Sequence, residues 1–315
     1  MNYAEISEEL QDAYANCSIR GLYCSSQWIS ELLCQMEEEE KEEEELYQYP
    51  KQAYHIENKV LLAKSYFDQR QYKRAAFMLS NCTSKISLFL RYYSLYLAGE
   101  NDKEQKINEE KDALIAIKIQ NKELITLRNE LNTLYNKEEE EDGKQEAFMD
   151  SYLLYLYGLI LKECSDDDLA RTVLMKSIHM NCTNWSAWLC LASTIDNMEI
   201  LNNLPLPSHY MSSFFLAYIY TTLGIHQHEE IISKIEQIAQ LFPNSTFITS
   251  LLAKTHYNNR EFDEAQVLFE ALKQIDPYRL DAMDIYSNLL FVKEEKAALA
   301  FLAHESVLIN KYSPQ

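Results

Sequence analysis

The chain has 315 residues, is 47 % hydrophobic and carries a formal charge of −20. Its 5 glycines and 6 prolines fall several-fold below ordinary usage of roughly 7 % and 5 %. That scarcity disfavours sheet-rich folds and phosphate-cradling loops and favours helices joined by short links, while the lack of a basic footprint excludes nucleic acid and anionic membrane as expected partners.

The opening stretch, MNYAEISEELQDAY, is acidic and amphipathic, unlike a secretory leader, and residues 1–36 read as an N-terminal helical segment. Residues 37–53 read as an acidic linker. The run Glu37–Glu45, interrupted by Lys41, carries −7, and a second run, Glu138–Asp142, carries −5. Such runs serve as solvated linkers or as tails for a basic partner.

From residue 54 a rhythm of small side chains sets in. Ala63 is followed twelve residues on by Ala75, Gly158 by Ala170, and Ala253 by Ala265. Four beyond each second small residue stands an apolar one: Leu79, Leu174 and Phe269. Two small residues at this interval let antiparallel helices approach closely while larger neighbours interlock around the crossing. The polar links DQRQ, CSDDD and NNRE make the turns, and Pro277, without an N–H, marks the end of one helix pair. A helix pair of this kind buries its faces only by stacking on similar pairs.

The spacing is that of the tetratricopeptide repeat, so the expected fold is an all-α superhelix of antiparallel helix pairs over residues 54–315. The clearest copy is 246–279, with Ala253, Ala265, Phe269 and Pro277 in register. Residues 151–184 keep Gly158 and Ala170. The copy at 185–211 starts with Trp188 and Ala192 and then loses its second helix, and Ala217 marks a blurred copy. A further copy starts at Leu280, with Ser287 in the small position. Near 99–145 a charged insertion interrupts the rhythm, after which Leu124, Leu127, Leu131 and Leu134 form one apolar helix face.

No nucleotide, nucleophile-elbow or zinc motif is present, so neither enzyme, cofactor nor metal is expected. His226 and His228 lack a third ligand nearby. Asp166, Asp167 and Asp168 read as helix capping, and Cys24 and Cys34 as buried or inert thiols. Seven cysteines without a C-x-x-C suit a reducing compartment, and the longest apolar stretches are too short to span a bilayer. A soluble intracellular protein is expected. Tyrosine is dense, with 22 copies. Tyr66, Tyr72, Tyr92, Tyr93 and Tyr96 are candidates for a dimer or partner interface, with packing between helices as the alternative.

Three stretches outside the repeat signature, RGLYCSSQWISELL (20–33), NLPLPSHYMSSFFLAYIYTTL (203–223) and DPYRLDAMDIYSNLLFV (276–292), the last followed by LAH (302–304), occur here in order. With them, the chain resembles the family of anaphase-promoting complex subunit 8, or cell division cycle protein 23. The resemblance implies a non-catalytic scaffold of a multi-subunit ubiquitin ligase, nuclear and cytoplasmic, with other subunits of that complex as partners. It also implies a homodimer through the N-terminal repeats, each superhelix clasping the other, and further repeats and coactivator contacts that this chain does not include. The alternative is a repeat adaptor that binds peptide or chaperone tails in its groove.

Overall fold

The computed structural model describes residues 3–35, 58–110, 118–140, 149–223, 228–242 and 245–311. The linker at 37–53, residues 141 and 142 of the run 138–142, and His226 lie outside the described residues. Among the described residues the chain is helical and no strand occurs. The all-α expectation therefore holds, and the helices come in stacked pairs.

One compact unit comprises residues 1–33 and 38–207, and a second comprises 208–315 with residues 34–37. In the first unit α1 (Tyr3–Ile19) and α2 (Tyr23–Gln35) form an N-terminal arm. The pairs that follow are α3 (Asn58–Asp68) with α4 (Tyr72–Met78), α5 (Lys85–Glu109) with α6 (Leu124–Glu140), and α7 (Ser151–Glu163) with α8 (Asp167–Met180). Two shorter helices, α9 (Trp185–Ala192) and α10 (Met198–Asn202), close the unit. The second unit holds α11 (Tyr210–Leu223), α12 (His228–Leu241), α13 (Thr246–Asn258), α14 (Phe262–Ile275), α15 (Met283–Val292) and α16 (Lys296–Ile309).

The stacking follows one rule. The first helix of a pair touches its own second helix and the first helix of the next pair: α3 meets α4 and α5, α5 meets α6 and α7, and α7 meets α8 and α9. In the second unit α11, α13 and α15 form the same succession. In the pairs α3 with α4, α7 with α8 and α13 with α14 the small residues are buried. Ala63, Ala75, Ala170, Ala217, Ala253, Ala265 and Phe269 are fully buried. Gly158 is buried as well: a Cβ there would lie 2.5 Å from Leu174 Cγ, so that leucine occupies the space the glycine leaves open. Ala192 is only half-buried, and Pro277 is exposed in the turn after α14.

Helix ends and faces differ from the sequence reading in three places. The α5 helix runs on through the start of the charged insertion to Glu109, capped at its N-terminus by Ser84, which accepts from Ser87 N. On α6 the buried face is Leu124, Leu127, Leu131 and Tyr135, with Leu134 half-buried, because a 3.6-residue period carries the face one position further on. Asp166 makes no cap bond at α8. Its carboxylate takes Arg128 of α6 at 2.6 Å.

Turns within four pairs are alike. Arg70, Ser165, Arg260 and Glu294 have φ near +60°. The next N–H reaches back five residues: Gln71 to Tyr66 O, Asp166 to Leu161 O, Glu261 to His256 O and Glu295 to Leu290 O, at 2.8–3.0 Å. This is the Schellman termination, which ordinarily takes glycine at the left-handed position. Low glycine content thus did not mean an absence of left-handed turns. All four side chains are exposed, so glycine at any of them removes strain of about 1–2 kcal/mol at an entropic cost of about 0.5–1 kcal/mol. Arg70→Gly with Ser165→Gly should raise the first unit's stability by about 1–2 kcal/mol in urea unfolding, and Arg260→Gly with Glu294→Gly should do the same for the second. A loss of stability would refute the assigned strain.

Candidate interaction surface

The arm provides the best-defined recognition in the molecule. One stripe of α1, Ile6, Leu10, Ala13 and Cys17, is buried, and on and beside α2 so are Leu22, Ser25, Trp28, Ile29 and Leu32. The spacing is helical, so each helix of the arm turns one face inward. Gly21 at φ +72° makes the same five-residue turn found inside the pairs, with Leu22 N bonded to Cys17 O at 3.0 Å. Space is short there as well, because a Cβ at Gly21 would come within 2.3 Å of the Phe67 ring.

The arm's contacts reach α3, α7 and α9. On α3, Tyr23 lies 6.3 Å from Phe67 in ring centroids, and its hydroxyl donates to Asp68. Behind α3, burial first, and then the neighbouring Cys24 and Tyr72, pushes the Tyr93 hydroxyl up to about 12, without a direct bond from the arm to Tyr93 being involved. On α7, the Arg20 guanidinium pairs with Asp150 at 3.0 Å and lies 4.0 Å over the Tyr152 ring. Cys17 Sγ is 4.0 Å from the Tyr152 hydroxyl, and burial pushes that thiol up to about 11, which keeps it protonated. On α9, Trp28 stacks on Trp185 at 4.5 Å and 9°.

Two of these contacts complete helix ends. Asp150 caps α7 by accepting from Leu153 N at 2.8 Å and holds Arg20 with its other oxygen. Asn184 stands at the N-cap of α9 but makes no cap bond, and its amide is buried without a partner. Ser25 of α2 takes over that task, accepting from Ser186 N at 2.8 Å and sharing a 2.6 Å hydroxyl contact with Ser186. Arg20 is only 5 % exposed, and its remaining bonds go to Asn16 O and Oδ1 at 3.1 and 3.2 Å. Sequence reading did not single out Arg20, Ser25, Trp28 or Asp150, because nothing local marks them as partners.

The candidate tyrosines serve mainly as packing. Tyr92 is buried; Tyr93 stacks on Phe67 at 5.7 Å and on Tyr96 at 6.3 Å. Tyr72 meets Phe67 edge-on at 5.4 Å. Tyr66 is half-buried, with the Arg74 guanidinium 4.1 Å over its ring. Cys24 and Cys34 are both exposed. Large apolar side chains do face outward elsewhere. On the first pair they are Leu61, Leu62 and Phe77; in the second unit they include Tyr278, Phe291, Phe301 and Leu308. A groove of about 290 Å³ lies between α15 and α16, lined by Met283, Ser287, Leu299, Leu302 and Val307. Among the described residues no group of acidic, histidine and cysteine side chains could hold a metal ion, and no helix is long and apolar enough to cross a membrane.

Comparison with known proteins gives a consistent result. Residues 5–250 match the family described as anaphase promoting complex subunit 8 / Cdc23. The chain is 44 % identical over 255 residues to anaphase-promoting complex subunit 8 of Arabidopsis thaliana, covering 81 % of this chain and 42 % of that relative. It is 35 % identical over 318 residues to the cell division cycle protein 23 homolog of Bos taurus, covering 96 % and 49 %. Against anaphase-promoting complex subunit CDC23 of Saccharomyces cerevisiae the identity is 25 % over 389 residues, covering 99 % and 62 %. The chain spans about half the length of the first two of these relatives.

Proposed function

The chain belongs to the anaphase-promoting complex subunit 8/Cdc23 family, and on that premise we propose that it acts as a non-catalytic scaffold of that complex. The observation that carries the reading is the family match over residues 5–250, which takes in the arm from residue 5 and all the stacked pairs of the first unit. Stacked helix pairs suit this role because they present long surfaces at little cost in loop ordering. The partners proposed are other subunits of the same complex. Mass spectrometry of proteins that co-purify with the tagged chain from cells tests this: recovery of those subunits is expected, and their consistent absence defeats the reading.

Self-association through the N-terminal repeats is part of the proposal. Its support is the outward apolar set Leu61, Leu62 and Phe77 on the first pair, with Phe77 77 % exposed. The first helices α3, α7 and α9 carry contacts from the arm. A second copy meets the α3–α4 surface at that apolar set in this reading. Sedimentation equilibrium at micromolar concentration should show a dimer, and Leu62→Asp with Phe77→Asp should weaken it at least about tenfold, as expected when apolar anchors of an interface are lost. A wild-type chain that stays monomeric rules out self-association.

A further inference from the structure

We propose that the face formed by α3, α7 and α9 is a helix-binding surface whose resident ligand is the chain's own arm, held by Arg20 on Asp150 and Trp28 on Trp185.

The arm engages this surface as a bound ligand does. Its inward residues come from one stripe per helix, and its anchors are an aromatic and an arginine, the types that dominate recognition surfaces. The anchor contacts join residues 130 to 161 positions apart, through Arg20–Asp150, Cys17–Tyr152 and Ser25–Ser186. On the receiving side the surface offers complementary features. Asp150 presents a carboxylate to a guanidinium, Trp185 presents a flat ring, and the N-terminus of α9 presents an N–H that the surface's own Asn184 leaves to Ser25. Phe67 forms the floor beneath Gly21, the one arm residue small enough to lie there.

The consequence is a closed surface. Arg20 and Trp28 of the arm fill the anchor positions at α7 and α9.

The test uses the full chain with a specific protease sequence substituted for Glu39–Glu45, then cleaved. The cut arm is expected to co-elute with the remainder on gel filtration and to exchange with a labelled synthetic peptide of residues 1–36 at one per chain. Arg20→Ala should weaken retention about a hundredfold, the scale set by breaking a buried ion pair. Asp150→Asn, which keeps a cap for α7 because asparagine caps well, should weaken peptide binding in the same direction. Three results each overturn the proposal. The first is departure of the arm on cleavage of the otherwise wild-type chain. The second is a loss of helicity on its departure larger than the arm's own, which makes it core and not ligand. The third is peptide binding indifferent to Arg20→Ala and Asp150→Asn.

Discussion

Replacing Asp150 by alanine is expected to destabilise the first unit by about 4 kcal/mol or more, because two roles are lost at once. The carboxylate caps α7 through Leu153 N, and such caps contribute about 1 kcal/mol. The same carboxylate neutralises Arg20, which would be left charged and buried over Tyr152; stranding one member of a buried pair costs about 3–5 kcal/mol. The two losses separate. Asp150→Asn keeps the cap and removes only the charge, so it should retain about 1 kcal/mol that alanine loses. Arg20→Met with Asp150→Asn removes both charges together and should be closer to the parent than either charge-stranding change, since replacing a buried pair is often nearly neutral. Urea unfolding followed by circular dichroism measures all four proteins. Equal stability of Asp150→Ala and parent would mean that the arm is not clamped as described.

The second large effect is Ala75→Arg, which should leave the first unit unfolded or destabilised by at least about 4 kcal/mol. Ala75 is fully buried in α4, in a cluster with Val60, Ala63, Phe67, Leu79, Cys82 and Leu90. Adding a long side chain there overpacks the crossing by about 1–3 kcal/mol, and an unpaired charge among apolar neighbours adds several more. Phe77, two residues on and on the same helix, is 77 % exposed. At a concentration where neither variant self-associates, Phe77→Arg should change stability by about 0.5 kcal/mol or less, the usual range for surface positions. The contrast tests the helix register directly: similar melts for the two variants would show that the inward face of α4 is misassigned.

Much of this architecture could be read in advance. The twelve-residue interval between Ala63 and Ala75, or Ala253 and Ala265, reports a helix, a tight turn and a return, all within one local stretch. Pro277 likewise marks a stop because its chemistry forbids helix continuation in any context. The α6 face was read one residue off at Leu134, where an approximate 3-4-3 count gave way to the true turn of the helix at Tyr135. The left-handed turns at Arg70, Ser165, Arg260 and Glu294 were invisible because their residues are not the ones that prefer that conformation. There the stacked helices on either side impose the backbone and the side chain tolerates it.

Sequence by itself determined that the chain is helical, that its helices pair, and where most pairs turn, because those properties depend on side chains a few residues apart. Only the tertiary structure decided that the N-terminal arm contacts α3, α7 and α9, that the tyrosine cluster is turned largely into packing, and that Ser25 completes a helix end Asn184 leaves open. Those outcomes depend on shape and charge matching between segments separated by more than a hundred residues, such as Arg20 with Asp150 and Trp28 with Trp185. Local periodicity carries no information about which distant surface a buried stripe will meet.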